Sequence, residues 1–468
     1  MVKQTFHQTR SSLCPECFQV VGADLVQDKQ GLHLEKFCPV HGHFRTRIAA
    51  DYLWLSNRQQ YAAHTVVPDS RQKSVVKGCP ADCGECEAHR QRAAFFLFEI
   101  TNACDLNCPI CLGKPYDQGR FISIVDLEIM VDNLLHYAQA GHIVTLGGGE
   151  PTLHPHFFEV VQLIKKAGLK DIWLYTNGRR IARDPDFARR IAAENLYVVL
   201  QWDGFNDDIY LNLRGQGLLS EKKQALEHLH QNGLRIGLCP TIVKDINDQE
   251  LGQLYQKFIT DPAIGTLDIA TMAYVGKAKS FAQGRDNRIT GQDVLGLLES
   301  QTAGQIRASD FSAVSFSHPE CLQIAYHLAL PDKSYIPLKR FLEPEDYQSL
   351  ILNKPLLVLN EDLVDTFHDI VNRLWASGKN DQDTQRGLQA LRHVIETLFT
   401  TNGSGTSPER LVRSKELVKV VLVHSYMDGL NFDLGRTKMC ISRTVLPDGR
   451  LMPTCAFNVM HREKEVKE

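Results

Sequence analysis

The sequence lacks both a long apolar run and a strong excess of charge of one sign. No stretch approaches the roughly 20 apolar residues that a membrane-spanning helix needs, and the opening string MVKQTFHQTR has no apolar core of a signal peptide. The formal net charge of the 468 residues is −3, so no overall field attracts nucleic acid or an anionic membrane surface. We therefore expect no transmembrane segment, no nucleic-acid partner and a cytoplasmic location.

Thirteen cysteines are the most informative feature of a composition that is otherwise ordinary, with 43% hydrophobic and 23% charged residues. That apolar fraction is enough for a sizeable buried core. A reducing cytoplasm makes structural disulfides rare, so clustered cysteines there usually bind metal or take part in catalysis. We therefore interpret the cysteine groups as metal sites.

The middle of the chain alternates apolar, β-branched runs with helical patterns, which is typical of parallel strands joined by crossover helices. Six units of this kind predict an α/β fold, a partial (β/α)6 TIM-type barrel that stays open, with its site at the carboxyl ends of the strands. The predicted strands are Phe95–Thr101, His142–Leu146, Asp171–Thr176, Tyr197–Trp202, Arg235–Val243 and Leu267–Ala273. The clearest helical patterns between them, each followed by a glycine suited to a left-handed cap, are Phe157–Ala167 and Lys222–Asn232.

Four regions follow from this pattern and from the cysteine spacing. Residues 1–70 are predicted to form a small cysteine-rich metal domain of the zinc-ribbon or rubredoxin type, and residues 71–92 a segment for an auxiliary cluster. Residues 93–300 form the barrel, and residues 301–468 a mostly helical extension that carries further cluster ligands in its tail. The longest helical patterns of the extension are Glu361–Ala376 and Gln382–Thr400.

A cysteine loop with the spacing C-x3-C-x2-C directly follows the first predicted barrel strand, in the string FEITNACDLNCPICLG. Its thiols are Cys104, Cys108 and Cys111. Three thiolates on one tight loop can ligate three irons of a [4Fe-4S] cluster and leave the fourth iron without a protein ligand. The open iron is then a place for a substrate or cofactor to bind.

A glycine-rich acidic turn, TLGGGEP, ends the second predicted strand and contains Gly148, Gly149 and Glu150. Glycines let a ligand approach the backbone closely, and the glutamate offers a carboxylate to an ammonium group. Because both loops leave the carboxyl ends of neighbouring strands, they meet at the same barrel mouth. Together they imply an amino acid that chelates the open iron.

The combination of cysteine loop and Gly-Gly-Glu turn resembles the radical S-adenosylmethionine (SAM) superfamily. The resemblance implies that SAM chelates the free iron, that Gly148, Gly149 and Glu150 receive its amino group, and that one electron from the reduced cluster cleaves the sulfonium. The 5′-deoxyadenosyl radical formed then takes a hydrogen atom from the substrate. Softer matches at the ends of later strands extend the cofactor site to Thr176 and Asn177, to Gln201 and Asp203, and to Tyr274 and Val275.

The alternative for the cysteine loop is a structural zinc knot. Structural zinc usually takes four protein ligands in two closely spaced pairs, which this loop does not offer.

One residue departs from the superfamily, since Ile110 precedes the third cysteine where most members have an aromatic. We expect that departure to change how the cluster packs rather than what it does.

The first metal site is predicted from Cys14, Cys17, Cys38 and His41, with the spacing of a zinc-ribbon or rubredoxin-like knuckle. The donor set suits zinc or a single iron and does not choose between them. A structural role in a domain with little core is one interpretation, and electron relay is the other. His41 also fits a turn residue, because Gly42 follows it.

A second C-x3-C-x2-C group, Cys79, Cys83 and Cys86, repeats the spacing of the SAM loop but follows Gly78 rather than a strand. No second Gly-Gly-Glu turn comes after it. We therefore interpret it as an auxiliary [4Fe-4S] site, with His89 as a candidate fourth ligand, in preference to a second SAM site. Zinc is the structural alternative.

The remaining cysteines include Cys321, Cys440 and Cys455, which would form a third cluster if the fold brings them together. The alternative is that they are lone buried cysteines. We interpret Cys239, inside the fifth predicted strand, as a cysteine of that kind. The sequence separation of the three leaves both interpretations open.

The order of all these motifs is similar to one branch of the superfamily, the archaeal pterin radical SAM methyltransferases and the tetraether lipid synthases. That resemblance implies carbon–carbon bond formation or alkylation with auxiliary clusters, and hence a transferase acting on a pterin-like small molecule or a lipid. A pterin would need stacking aromatics and a carboxylate. Lipid chains would need a long apolar tunnel, lined by the helices between Leu322 and Phe399.

An external electron donor of the flavodoxin or ferredoxin type is also implied, because the chain has no recognisable reductase motif. A rival within enzymes is radical oxidation or rearrangement without carbon–carbon bonding. The rival from another class is a scaffold protein in which all the cysteines bind zinc.

Overall fold

The computed structural model describes residues 4–59, 66–68, 74–113, 119–137, 142–282, 288–351, 357, 363–399 and 416–462. Two sheets organise these residues, a four-stranded sheet near the amino terminus and a 13-stranded sheet that contains the other strands. Within the same ranges, no helix is both long and apolar enough to cross a bilayer.

The amino-terminal sheet is an antiparallel meander in the order β1-β2-β3-β4. Its buried side is small and includes Leu25, Leu32 and Leu34, which face the short helix after the sheet. A core of this size stabilises a domain poorly by itself, so ligation of a metal ion would add stability. The elements are β1 (Gln4–Leu13), β2 (Val20–Asp28), β3 (Gly31–Cys38), β4 (Gly42–Ala49) and α1 (Tyr52–Arg58).

A partial barrel of parallel strands forms the centre of the large sheet, as predicted. Neighbouring strands follow chain order, β5-β6-β7-β8-β9-β11, with the short β10 also paired to β11. The predicted strands are all present, with ends displaced by a few residues. The strands are β5 (Phe95–Thr101), β6 (Ile143–Gly148), β7 (Ile172–Thr176), β8 (Tyr197–Gln201), β9 (Ile236–Cys239), β10 (Thr241–Ile242) and β11 (Ile264–Thr271).

Each barrel strand has two different faces, because side chains alternate along a strand. In β7, Ile172 and Leu174 pack into the large core between the sheet and its helices. Trp173 and Tyr175 belong to a smaller cluster on the inner face, with Tyr197 of β8. The inner face is therefore aromatic and polar rather than aliphatic.

Crossover helices cover the outer face of the barrel. The predicted left-handed caps are present, since Gly168 has φ +87° after α3 and Gly233 has φ +65° after α7. The helices are α2 (Ile124–Leu135), α3 (Phe157–Lys166), α4 (Arg179–Arg183), α5 (Pro185–Ala193), α6 (Asp207–Arg214), α7 (Leu219–Gln231), α8 (Leu251–Thr260) and α9 (Gly291–Gln301).

The carboxyl-terminal region adds strands to both edges of the barrel sheet. Val418–His424 (β15) pairs in parallel with β11, and Ser442–Val445 (β16) pairs in parallel with β5. The sheet thus crosses the predicted boundary near residue 300. Antiparallel strands complete the sheet beyond β15 and β16: β12 (Ser312–Ala313), β13 (Leu322–Ala329), β14 (Tyr335–Pro337) and β17 (Leu451–Pro453).

Helices form the rest of the carboxyl-terminal region and have their own core. The predicted helices are present as Leu363–Ala376 (α11) and Gln382–Phe399 (α12); residues 361, 362 and 400 lie outside the described ranges. The expectation that helices begin at Leu322 is wrong, because residues 322–329 form β13, whose apolar run pairs with β15. The other helices are α10 (Pro344–Ile351), α13 (Leu434–Lys438) and α14 (Thr454–Ala456), which continues as a π-helical turn over Phe457–His461.

Candidate active site and metal centres

The cysteine loop and the Gly-Gly-Glu turn are joined by backbone contacts at the carboxyl ends of β5 and β6. Gly149 N–H donates to the Thr101 carbonyl at 2.7 Å, and Glu150 N–H donates to the Ala103 carbonyl at 2.7 Å. A Cβ added at Gly149 would overlap that Ala103 carbonyl oxygen. The turn therefore needs glycine to lie against the residue that precedes Cys104.

The Glu150 carboxylate is buried and bonded to protein donors. It accepts hydrogen bonds from the Thr152 hydroxyl at 2.6 Å, the Thr176 hydroxyl at 2.7 Å and the Asn177 N–H at 2.8 Å. Burial raises the pKa of Glu150, and these hydrogen bonds oppose the shift. In this geometry the carboxylate ties the end of β6 to the end of β7, and its predicted contact with an ammonium group stays a prediction.

Asn177 connects the end of β7 to the cysteine loop. Its side-chain amide donates to Asp105, the residue after Cys104, at 2.7 Å. Arg179 also binds Asp105, donating to its backbone carbonyl at 2.5 Å and lying 3.3 Å from its carboxylate. Asn177 and Arg179 thus hold the cysteine loop from the end of β7, while Gly149 and Glu150 hold it from the end of β6.

Gln201 and Asp203, both predicted as cofactor residues, lie together at the end of β8. The Gln201 amide donates to the Asp203 carboxylate and its oxygen accepts from Lys222 at 2.6 Å. Arg214 forms a bidentate pair with Asp203, at 2.7 and 2.8 Å. The two cations were not predicted, because a buried lysine or arginine on a helix looks the same in sequence as an exposed one.

Both cations are buried close to the cysteine loop. Burial lowers the pKa of Arg214, but Asp203 and the Cys108 thiol more than offset this effect and raise it. Burial lowers the pKa of Lys222 to about 8, although Asp203 opposes the shift. Positive charge at this place favours an anionic cluster and carboxylate ligands.

The segment after β11 closes over the third cysteine. Lys277 N–H donates to the Cys111 carbonyl at 3.1 Å, and a Cβ added at Gly276 would overlap the Leu112 carbonyl. Tyr274 N–H donates to the Asp428 carboxylate at 3.0 Å. Tyr274 and Val275, which were predicted as cofactor-binding residues, are therefore next to the cysteine loop.

The thiols of the loop fit a metal cluster by their chemistry. Cys104, Cys108 and Cys111 pack around Leu106 and Leu218 in one small apolar cluster. Burial raises the pKa of Cys104 to about 12 and also raises that of Cys111. Buried thiols of this kind become thiolates only with a compensating positive charge, which iron supplies.

The amino-terminal cysteines converge as predicted. The ligand atoms of Cys14, Cys17, Cys38 and His41 all lie within 4.8 Å of one another, and His41 Nδ1 is 3.6 Å from two of the sulfurs. Such a compact set suits one tetrahedral ion. Among the described residues, this is the group of possible ligands compact enough for a single metal ion.

The second C-x3-C-x2-C loop is built differently from the first. Cys83 and Cys86 are buried, and burial raises the pKa of Cys83 to about 12. Next to them, Glu85 and Arg443 of β16 form a buried ion pair at 3.0 Å. His89 Nδ1 accepts from the Cys86 N–H at 3.3 Å, so ligation by His89 would have to use Nε2.

The three remaining predicted ligands come together from distant parts of the chain. Burial raises the pKa of Cys455 to about 12, and electrostatic interactions with Cys440 and Cys321 add to that rise. The assignment of the three thiols to one cluster stays a prediction. Arg436 donates to the Cys321 sulfur at 3.4 Å. Cys239, in contrast, lies apart on the inner face of β9.

The comparisons with known proteins agree with this arrangement. Residues 98–258 match the Radical SAM superfamily, and residues 6–50 match the HMPTM N-terminal zinc ribbon domain. Along the chain, a zinc ribbon domain therefore precedes a radical SAM domain. The protein is a radical SAM enzyme, which implies a [4Fe-4S] cluster and SAM.

Two relatives make the similarity more particular. The 7,8-dihydro-6-hydroxymethylpterin dimethyltransferase of Methanocaldococcus jannaschii is 27% identical over an alignment that covers 98% of this chain and 94% of that protein. The GTP 3′,8-cyclase of Actinobacillus succinogenes is 23% identical over 57% of this chain and 86% of its own length.

Solved structures that the chain matches in part include Streptococcus suis SuiB bound to S-adenosylmethionine, at 16% identity and a TM-score of 0.37. Another is anSMEcpe with bound AdoMet, at 22% identity and a TM-score of 0.36. Each match covers 45% of this chain, and the chain spans 47% and 60% of the two proteins.

Proposed function

We propose that this radical SAM enzyme forms a carbon–carbon bond, as an alkylation, on a small heteroaromatic substrate of the pterin type. The observation that carries the proposal is the similarity over nearly the full length to a pterin dimethyltransferase. The buried carboxylate of Asp268, which lies among aromatic side chains on the inner face of the barrel, supports the same substrate class.

Cys104, Cys108 and Cys111 would hold the [4Fe-4S] cluster, and the Gly148–Glu150 turn would hold the amino end of SAM beside it. When bound, the cluster and SAM supply a 5′-deoxyadenosyl radical that abstracts hydrogen. Thr176 and Asn177 keep Glu150 in place, while Gln201 and Asp203 present a polar surface that Arg214 and Lys222 orient. Tyr274 and Val275 would border the adenine.

Auxiliary centres would carry electrons to or from the site. We assign Cys79, Cys83 and Cys86 to one cluster and Cys321, Cys440 and Cys455 to another, with zinc or a single iron at Cys14, Cys17, Cys38 and His41. One apolar cluster contains Cys83, Cys455 and Leu112, so the auxiliary groups pack near the SAM loop. A flavodoxin or ferredoxin would be the external donor.

The names of the two relatives have a substrate feature in common. A hydroxymethylpterin and GTP both contain a 2-aminopyrimidin-4-one ring, whose amino group and ring N–H form a guanidine-like edge. A carboxylate pairs with such an edge through two hydrogen bonds. We therefore propose a 2-aminopyrimidinone ring as the recognised part of the substrate.

The lipid alternative has less support from the described helices. Helices α10 to α12 bury their apolar side chains against β13 in a core of their own, which includes Leu350, Phe367, Leu391 and Val394. Apolar faces used in this way do not line a tunnel.

The test is anaerobic reconstitution with iron and sulfide, followed by dithionite, SAM and a hydroxymethyldihydropterin. We expect 5′-deoxyadenosine and a pterin product heavier by one or more methyl groups. A product with unchanged carbon count would favour oxidation or rearrangement. A colourless protein containing only zinc after anaerobic purification would favour the scaffold alternative and contradict the proposal.

A further inference from the structure

Asp268 is a buried carboxylate on the inner face of β11. Its neighbours Leu267 and Ile269 pack into the core between the sheet and the helices, so strand alternation turns Asp268 inward. One carboxylate oxygen accepts a hydrogen bond from the Tyr175 hydroxyl at 2.9 Å. The other is buried and lies at ion-pair distance, 2.9 Å, from His424 Nε2, without hydrogen-bond geometry.

Two other carboxylates near the strand ends, Glu99 and Asp203, are each clamped by an arginine, whereas Glu150 accepts from two hydroxyls and a backbone N–H. Glu99 accepts two hydrogen bonds from Arg462, at 2.8 and 2.5 Å, and Asp203 accepts two from Arg214. Among the described residues, Asp268 has a phenol and an imidazole as its neighbours instead of such a clamp. A buried acceptor that is left unsatisfied is costly, so it points to a ligand that donates to it.

Flat rings surround the carboxylate. The His424 and Tyr426 rings are parallel to within 11°, with centroids 5.6 Å apart. On the same face, Trp173 and Tyr197 lie with centroids 4.7 Å apart. His424 and Tyr426 are partly exposed, so their rings offer a surface on which a planar heterocycle can stack.

Asp268 lies on β11, whose neighbours in the sheet are β9 and β15. Burial raises the pKa of Cys239 on β9, and both Asp268 and Asp203 add to that shift, so both carboxylates interact with this thiol. Burial also raises the pKa of Tyr426, with contributions from Asp268 and Cys455.

We propose that Asp268 is the substrate-binding residue that recognises the guanidine-like edge of a 2-aminopyrimidin-4-one ring. The carboxylate accepts from the ring N3–H and the 2-amino group, Tyr175 keeps the carboxylate oriented, and the His424 and Tyr426 rings stack beside the heterocycle. This inference rests on the proposed function and names the part of the substrate that the protein recognises.

The experiment compares the binding of two probes to the anaerobic holoprotein without SAM or reductant. The probes are 6-hydroxymethylpterin and 6-hydroxymethyllumazine, which has an oxygen in place of the 2-amino group. Fluorescence titration should show that the parent protein prefers the pterin at least about tenfold, as expected for a charge-assisted pair. In Asp268→Asn the preference should fall at least about tenfold, since an amide offers one acceptor instead of two.

Tyr175→Phe is the matched control, because it removes the hydrogen bond to Asp268 and keeps the carboxylate. It should bind both probes more weakly and retain the pterin preference. Equal binding of the two probes by the parent, or an unchanged preference in Asp268→Asn with normal iron content, would overturn the assignment. Equal binding by the parent would overturn the assignment even if Asp268→Asn failed to fold.

Cleavage of SAM without pterin, measured in the same preparations, distinguishes a failure of the proposed function from a failure of the role assigned to Asp268. Parent and Asp268→Asn should both form 5′-deoxyadenosine. If neither does, the proposed function fails, whatever the binding data show. If cleavage is normal and the preference for pterin is absent, Asp268 has another role.

Discussion

Two loops in this protein have the same cysteine spacing and different surroundings. Cys104 to Cys111 follow a barrel strand and lie against a glycine turn whose backbone bonds to the loop. Cys79 to Cys86 follow Gly78, lie in a coil segment and are flanked by the buried pair of Glu85 and Arg443. The comparison teaches that spacing defines a set of ligands, whereas the neighbouring backbone decides whether a cofactor can reach the metal.

The largest expected effect separates the two loops directly. Cys104→Ala should abolish SAM cleavage, because the iron cluster that binds SAM loses a ligand. Cys83→Ala should lose iron from the auxiliary site and still cleave SAM at a measurable rate. The readouts are 5′-deoxyadenosine per protein and iron content after anaerobic reconstitution. Equal loss of cleavage in both variants, with iron retained at the other loop, would remove the distinction.

Gly149→Ala tests the contact that only the first loop has. The added Cβ would collide with the Ala103 carbonyl and push the turn from the cysteine loop, so we expect at least a hundredfold loss of SAM cleavage. Gly168→Ala is the control, since its Cβ meets nothing within 4 Å and only the positive φ is strained. Full activity in Gly149→Ala would contradict the proposed role of the turn.

The pH dependence of stability tests whether Lys222 is buried as a cation beside the first cysteine loop. Because burial lowers its pKa from 10.5 to about 8, the folded state binds fewer protons than the unfolded state between those values. Stability should therefore rise with pH across that window, by roughly 3 kcal/mol at most. The melting temperature of the parent, measured against Lys222→Met from pH 7 to 10.5, should rise relative to the variant. A difference in melting temperature that does not change with pH would show that burial does not lower the pKa of Lys222.

The smallest effect on SAM cleavage is expected at the amino-terminal site. Cys17→Ser should lose one equivalent of metal and destabilise the small sheet, because that sheet has little core of its own. We expect cleavage of SAM to change by less than about twofold, as the site is not part of the barrel mouth. A complete loss of cleavage with a normal SAM-site cluster would instead assign this metal to electron relay.

The barrel and the chemistry-bearing loops were predictable because their signals are local. Alternating apolar runs identified β5 to β11, and cysteine spacing identified the amino-terminal group of Cys14, Cys17, Cys38 and His41. The other cysteine groups stay predictions. The addition of β15 and β16 to the sheet was not predictable, since a strand such as Val418–His424 does not carry the identity of its partner in its own residues. Pairing of this kind depends on tertiary packing.

Buried charges were missed for a related reason. Arg214 and Lys222 lie on helices whose pattern is also typical of exposed cations, so only the fold reveals that they face the cysteine loop. Asp268 could have been found in the sequence, because Thr266 and Asp268 alternate with Leu267 and Ile269 in β11 and mark a face with polar residues. Reading that alternation requires knowing that the inner face is a site rather than solvent-exposed surface.

The most direct test is electron paramagnetic resonance of reduced protein in which Cys79, Cys83 and Cys86 are all replaced by alanine. Adding SAM should shift the spectrum of the cluster at Cys104, Cys108 and Cys111, because SAM binds the iron that lacks a protein ligand. A spectrum that does not respond to SAM, from a protein with a full complement of iron at that loop, would contradict the account.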